Sequence, residues 1–196
     1  MSAAAGAAHS VALTSDGSLY TWGDGSHGQL GHEQLQVMAA PRCQNTIILP
    51  LPQKIASLDP SSLAPENRVT AISAGSCHTM VLLVGGGVLA FGNNESGCLG
   101  LGDTLNRWAP TRVKLSLPGE EGLCLRAVQL SCGAAHTLAL ISKQGSLEVR
   151  TTGERGGTRG LGHKGQERRL GKRSACLAGA LCLVMPLMLL LLLRCW

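Results

Sequence analysis

The chain has 196 residues, a formal net charge of +5, 26 glycines and only five aromatic side chains. This length accommodates one domain of ordinary size, and the spread of glycine along the chain excludes a single low-complexity tract. Residues 1–149 carry 8 basic and 10 acidic side chains, whereas residues 150–196 carry 9 and 2. Because the first part is mildly acidic, direct binding of nucleic acid is not expected, and the two parts are predicted to have different roles.

Residues 6–31 and 75–100 carry the same pattern and align with each other without a gap. Eight positions agree in register, including an aromatic position and a leucine pair, and such agreement indicates an internal repeat. The repeat residues to which we assign a structural role are Gly6, His9, Gly17, Trp22, Gly23, Gly28 and Gly31, and their counterparts Gly75, His78, Gly86, Phe91, Gly92, Gly97 and Gly100.

A third copy begins with Gly133 and His136, which match Gly75 and His78 of the second. It takes one extra residue before Gly145, and Arg150-Thr151 then stand where an aromatic residue and a glycine are expected. We therefore predict that this copy, residues 133–148, breaks off after its first hairpin and that the repeats end at residue 149.

The local pattern of each copy is that of short β-strands. The stretch HSVALTSDGSLYTW reads as a strand, an Asp-Gly turn and a second strand, which is a strong hairpin signal. The segments RVTAIS and RAVQLS precede the second and third copies and read as one further strand each. Units of about four short strands, repeated along the chain, predict an all-β protein built from blades of a β-propeller.

The pattern Gly-x-x-His, turn glycine, aromatic-Gly and Gly-Gln-Leu-Gly resembles the repeat of the regulator of chromosome condensation family. The resemblance covers residues 3 to about 148 and implies the seven-bladed propeller of that family. With two complete copies and one broken copy, we expect a partial β-propeller of about two to three four-stranded blades. Such a chain is either a truncated form of a larger repeat protein or a protein that pairs with other chains to close its propeller.

Residues 32–67 separate the first two copies and contain five prolines. This composition is incompatible with a long helix or a central strand, so we predict an extended inter-blade loop. In the family that the chain resembles, such loops crowd the propeller faces and bind partners. The segment is therefore the best binding candidate, with a plain connector as the alternative, while the individual partner-binding residues stay unknown.

No pattern in the chain predicts catalysis, a cofactor or a metal. Gly23 to Gly28 match Gly-x-Gly-x-x-Gly, but a dinucleotide site needs a helix to follow, and the second copy lacks the middle glycine. His9, His78 and His136 recur once per blade and therefore fall on separate sheets. We expect each ring to hydrogen-bond backbone of its own or the adjacent blade.

The C-terminal part changes character twice. Residues 150–174 are basic and glycine-rich and are predicted to be a linker, whereas residues 175–193 are nineteen residues without a charge. As a helix the latter spans about 28 Å, close to the thickness of a bilayer core, and is a candidate transmembrane helix. The basic flank would place the repeats on the cytosolic side. The alternative is that this tail is a splice or reading-frame product.

Three functions follow from these expectations. The first is a non-catalytic protein-binding propeller segment. The second, implied by the resemblance, is a guanine-nucleotide exchange factor for a small Ran-like GTPase, and the third is a tail-anchored membrane adaptor. The start of the chain lacks the pattern of a secretory signal. Reduced thiols in the cytoplasm or nucleus are therefore predicted, with the cytosolic face of an intracellular membrane as the alternative.

Overall fold

The computed structural model describes residues 1–37, 46–116, 125–144 and 146–153, which form eleven β-strands in three antiparallel sheets. The first sheet contains β1 (Ser2–Ala5), β2 (His9–Leu13), β3 (Leu19–Asp24) and β4 (Ile48–Lys54). The second contains β5 (Val69–Ala74), β6 (His78–Leu83), β7 (Val88–Gly92) and β8 (Arg107–Arg112). The third contains β9 (Leu125–Cys132), β10 (His136–Lys143) and β11 (Ser146–Gly153). Short 3-10 helices span Glu33–Val37, Ala56–Leu58 and Pro65–Asn67. The expected all-β class and blade-like sheets are confirmed.

Each sheet has two faces because side chains alternate along a strand. We call the face toward the preceding sheet the leading face and the face toward the following sheet the trailing face. In the first sheet the trailing face holds Val11, Leu13 and Leu19, all buried, while Trp22 lies on the leading face and is half-buried. Because of this alternation, the buried apolar side chains of the hairpin lie on one face and pack into the core against the next sheet.

Two apolar cores join the three sheets. The first packs Val11 and Leu19 of the first sheet against Val81 and Phe91 of the second. The second core contains Met80, Leu82 and Ala90 of the second sheet together with Ala139 and Ile141 of the third. Strand β6 is therefore buried along its whole length, because both faces of the middle sheet are covered. Complete burial of a side chain such as Phe91, which is 0% exposed, contributes about 1.5–3 kcal/mol.

The segment 32–67 differs from its prediction as one extended loop. Residues 48–54 form β4, which pairs with β3 and is one of the two edge strands of the first sheet. Proline has no N–H group to donate to a neighbouring strand. An edge strand tolerates Pro50 and Pro52 because one of its sides has no neighbouring strand and needs no hydrogen bonds there. The prolines thus exclude a central strand, as expected, but not an edge strand.

The predicted end of the repeats at residue 149 also differs from the structure. Strand β11 continues through Gly153, and His136 pairs with Gly153 as His78 pairs with Gly92. The paired histidine and glycine are three residues further apart along the chain in the third hairpin than in the second, so the third hairpin is three residues longer. Arg150, predicted as the first residue of the linker, is only 5% exposed and donates to the carbonyl of Leu115.

The rest of the predicted C-terminal organisation falls on residues outside the described part of the chain. This holds for the linker from residue 154 and for the apolar segment 175–193. Within the described ranges, no helix has the length and apolar character needed to cross a bilayer.

Candidate functional site

The three Gly-x-x-His motifs form the same tight turn at the start of β2, β6 and β10. In each, the glycine amide donates to the carbonyl of the histidine three residues later at 2.9 Å. The histidine ring folds back over the glycine, and a Cβ on Gly6, Gly75 or Gly133 would overlap the ring. A glycine is required because the ring occupies the space that any side chain would need. The motif thus fixes the direction in which each histidine points.

His9 points across the first core to the second sheet. Its Nε2 lies 2.9 Å from Thr79 Oγ1, and the same hydroxyl donates to the carbonyl of Gln29 at 2.9 Å. Because the single hydroxyl proton goes to that carbonyl, the network assigns the ring proton to Nε2, which donates to Oγ1. We call the trio of His9, Thr79 and Gln29 the first clasp, since one threonine of the second sheet holds two groups of the first.

The same arrangement joins the second and third sheets. His78 Nε2 lies 3.1 Å from Thr137 Oγ1, which donates to the carbonyl of Cys98 at 2.9 Å. Thr152 donates to the same carbonyl at 2.9 Å, a contact that has no counterpart at the first junction. His78, Thr137 and Cys98 form the second clasp.

The clasp histidines are uncharged at neutral pH. Burial lowers the pKa of His9 and of His78 to about 4, because desolvation disfavours the charged ring. A neutral ring that donates from Nε2 acts as a hydrogen-bond donor rather than as a charge. Within the described residues, no group of three His, Cys, Asp or Glu side chains is placed to hold a metal ion.

A second glycine position closes each hairpin against its histidine turn. Gly92 has φ +113°, a backbone conformation that favours glycine, and a Cβ there would lie 2.5 Å from the carbonyl of Cys77. Gly23 and Gly153 share this geometry, with φ +100° and +121°. The close approach lets Asn93 donate to Cys77 at 2.8 Å.

The other predicted repeat residues occupy turns or sheet faces. Gly17 and Gly86 lie in the hairpin turns after β2 and β6, while Phe91 is buried between the first two sheets. The turns that follow β3 and β7 contain Gly28, Gly31, Gly97 and Gly100. The structure places His9 and His78 at two different sheet junctions and His136 on the trailing face of the third sheet, so the three rings do not meet at one point.

Sequence reasoning missed the threonines of the clasps. The expected backbone partner does not account for the contact that the rings of His9 and His78 make with a hydroxyl of the next sheet. For His9, the backbone of Ser76 in the adjacent blade is a further hydrogen-bond partner. A signal was present, because a hydroxyl residue directly follows the histidine in every copy. These residues are Ser10, Thr79 and Thr137.

Three exposed arginines surround the turn between β6 and β7, residues 84–87. Arg126 Nε donates to the carbonyl of Gly85 at 3.0 Å, and the carbonyl of Arg68 accepts from the amide of residue 84 at 2.9 Å. Arg112 Nη2 lies 2.8 Å from the point that a Cβ on Gly87 would occupy. None of the three forms an ion pair with a described residue. We call this set the arginine rim: Arg68, Arg112 and Arg126.

The rim also receives the end of the connection 32–67. Gly85 donates to the carbonyl of Glu66 at 2.7 Å, next to Arg68. The connection that was predicted as the binding segment therefore ends beside the exposed cations, and Val84 adds an exposed apolar side chain to the same turn. This surface combines positive charge, apolar area and exposed guanidinium groups.

Comparisons with known proteins agree on the repeat. A family model described as "Regulator of chromosome condensation (RCC1) repeat" matches residues 16–82 and 85–140, and a second model of the same description matches residues 2–29 and 69–98. The chain is 34% identical over 140 residues to human "Probable E3 ubiquitin-protein ligase HERC3", covering 71% of this chain and 11% of that protein. It is 31% identical over 140 residues to the Arabidopsis thaliana "Ultraviolet-B receptor UVR8", covering 71% and 27%.

Solved structures show the same fold. Human WBSCR16 matches with a TM-score of 0.53 at 23% identity, over 76% of this chain and 33% of that one. Prp20p of Saccharomyces cerevisiae matches with a TM-score of 0.56 at 24% identity, over 73% and 31%. The chain thus spans about a third of these structures and between 2% and 27% of the curated relatives.

Proposed function

This chain belongs to the regulator of chromosome condensation (RCC1) repeat family, and we propose from that membership that it acts as a non-catalytic, protein-binding propeller segment. Its relatives are named as ubiquitin ligases and as an ultraviolet-B receptor, which are different activities. What they share with this chain is the repeat region. A region common to such different proteins is suited to recognition rather than to one reaction.

The observation that carries the proposal is the arginine rim. Exposed arginine side chains that form no ion pair with a described residue carry donors that match carboxylates in pairs. Arginine is also enriched among the residues that dominate protein interfaces. The partner surface that fits the rim is an acidic segment of another protein, which would contact the end of the connection 32–67 as well.

We also propose the kind of protein to which this chain belongs and the cellular compartment in which it occurs. We take the chain as a truncated form of a larger repeat protein, in line with the small share of each relative that it spans. Cys77, Cys98 and Cys132 are free thiols, which fits the reducing cytoplasm or nucleus. Burial raises the pKa of Cys98 to about 12, so this thiol stays protonated and is not a nucleophile at neutral pH.

Partner capture with rim variants of the full chain tests the binding surface. Partners are captured on the wild-type chain, identified, and then titrated against Arg112→Gln/Arg126→Gln. We expect the double variant to bind about tenfold or more weakly than the wild type, because two charge-assisted contacts are lost. The affinity of the wild-type chain should also fall when salt is added. The double variant Gln34→Glu/Gln36→Glu, on exposed positions of the first 3-10 helix, makes the same net-charge change elsewhere and should bind normally. Equal losses in both variants would contradict the rim as the binding surface.

Nucleotide exchange on a small GTPase is the second candidate. Prp20p is described as binding Gsp1p and histones, and the fold of this chain resembles the Prp20p structure. At 24% identity the likeness supports the fold alone, so the activity needs its own test. Release of a fluorescent nucleotide from a panel of small GTPases is accelerated by the full chain under this candidate, and unchanged release with every member would remove it.

A further inference from the structure

We propose that this chain associates head to tail with a second copy of itself, the trailing face of its third sheet receiving the leading face of the partner's first sheet. These two faces end the stack of described sheets. The proposal concerns the sides of the sheets and is independent of the arginine rim.

The trailing face of the third sheet repeats the covered trailing face of the second. Leu138 and Leu140 follow His136 by two and four residues, as Met80 and Leu82 follow His78. Met80 and Leu82 are buried in the second core, whereas Leu138 and Leu140 are only half-buried. On β11 the same face includes Leu147 and Val149, which are 43% and 48% exposed. An apolar face that is covered in the second sheet is thus left uncovered by the described residues in the third.

No other described sheet covers the leading face of the first sheet either. Trp22 occupies the register position of Phe91, and Tyr20 that of Leu89. Phe91 is completely buried in the first core, but Trp22 is half-buried, while Tyr20 and its counterpart Leu89 are both half-buried. Ser10 stands where Thr79 and Thr137 stand in the two clasps, so a hydroxyl is available for a histidine of a preceding sheet.

His136 supplies the other half of this unmade clasp. It starts β10 in the same register as His9 and His78 start their strands, and its backbone turn contains the same hydrogen bond from the glycine amide to the histidine carbonyl. No described residue hydrogen-bonds its ring. The third described sheet thus offers the histidine of a clasp, and the first described sheet offers the hydroxyl.

A second copy is the occupant that fits both faces at once. The junctions between the first and second sheets and between the second and third use the same register and the same clasp. Repeating that step once more places the first sheet of another copy on the third sheet of this one, with His136 opposite the partner subunit's Ser10. In the central strands β2, β3 and β10, Asp24 at the end of β3 is the one Asp, Glu, Lys or Arg side chain that the alternation places on either face. Its carboxylate already accepts hydrogen bonds from Ser26 and Gln29, so this charge has partners within its own chain.

The two faces differ, so this contact is heterologous rather than two-fold. This makes a specific mixing experiment available. A chain with a blocked leading face can still bind through its trailing face, and a chain with a blocked trailing face can still bind through its leading face. Neither associates with itself, but the two together can form one contact and no more.

Sedimentation velocity of the full chain over a range of concentrations is the measurement. For the wild type we expect the mass to rise with concentration above that of one chain. Ala12→Arg on the leading face and Leu138→Arg on the trailing face should each weaken association by about tenfold or more, because a charge would be buried unpaired. An equimolar mixture of these variants should give a complex of two chains. Leu105→Arg, at an exposed loop residue, is the control and should behave as wild type.

Three outcomes would overturn the proposal. The first is a wild-type chain that keeps the mass of one chain at all concentrations, which includes the case in which residues 154–196 or another protein cover the face. The second is a pair of variants that assemble as the wild type does. The third is a mixture of the two variants that keeps the mass of one chain. Ser10→Arg and Val149→Arg change a half-buried and an exposed residue of the same two faces. They replace either variant that fails to give a folded far-ultraviolet spectrum.

Discussion

Thr79 and Thr137 each satisfy two polar groups of the preceding sheet with one hydroxyl. A buried carbonyl and a buried ring N–H would each cost about 1–3 kcal/mol if left without a partner. The clasps therefore make the spacing between sheets specific, while the apolar cores supply the larger part of the stabilisation. Their geometry depends on the glycine three residues before each histidine, which leaves room for the ring.

The clasp histidines predict that stability falls in mild acid. Their pKa is about 4 in the folded chain and about 6.5 when exposed, so the unfolded chain binds more protons between these values. The free energy of unfolding therefore decreases as the pH falls through this window, by about 2 kcal/mol for each ring between pH 7 and pH 5. Urea unfolding at the two pH values measures the loss.

The variant His78→Phe is the control for this prediction. It lacks one of the two titrating rings, so its loss between pH 7 and pH 5 should be smaller than that of the wild type by about 2 kcal/mol. Burial also lowers the pKa of His32, which contributes to the loss that remains. An unchanged pH dependence in His78→Phe would show that the buried ring is not responsible.

At the scale of strands and turns, a comparison of Gly92 with Gly102 separates two costs of replacing glycine by alanine: backbone strain at positive φ and overlap of the new Cβ with its neighbours. Both have positive φ, +113° and +86°, so alanine is strained at either position by about 1–2 kcal/mol. A Cβ on Gly92 would meet the carbonyl of Cys77 at 2.5 Å, whereas nothing lies within 4 Å at Gly102. We expect Gly92→Ala to lower the free energy of unfolding by about 3 kcal/mol or more, and Gly102→Ala by no more than the strain.

Gly153 extends this comparison to the third hairpin. It shares the register and the close approach of Gly92, so Gly153→Ala should be as destabilising as Gly92→Ala. Urea unfolding of the three variants measures the difference. If Gly153→Ala cost no more than Gly102→Ala, β11 would not extend to Gly153.

The first two hairpins could be predicted from sequence because their lengths are equal. His9 pairs with Gly23 and His78 with Gly92 at the same separation along the chain, so the repeats align without a gap. The third hairpin could not be aligned in this way, since it is longer by three residues and carries Thr152 at the aromatic position. A pattern search there finds neither the spacing nor the ring that define the first two copies.

Strand β4 and the clasp threonines were missed for other physical reasons. The prolines of residues 48–54 exclude a central strand, but whether a strand lies at an edge depends on the neighbours that the whole sheet provides. A hydroxyl next to a histidine is common in any sequence. Its role appears only when two sheets that are far apart in the chain bring ring and hydroxyl to 2.9 Å.

At the scale of the whole molecule, the described chain is a row of sheets in which each contacts its neighbours. Stability in such a row is the sum of what each sheet contributes and what each junction contributes. The middle sheet gains from two junctions and the outer sheets from one each. This is why the apolar side chains of β6 are completely buried, while equivalent side chains of β2 and β10 are covered on one face only.

A double-mutant cycle across the junctions tests most directly the claim that a repeated clasp joins consecutive sheets. The cycle combines His9→Phe with Thr79→Val, and His78→Phe with Thr137→Val, and measures the free energy of unfolding of each single and double variant. We predict a coupling of about 1 kcal/mol or more within each clasp, and additivity within about 0.5 kcal/mol for His9→Phe with Thr137→Val, which belong to different clasps. Coupling near zero within both clasps would contradict the account.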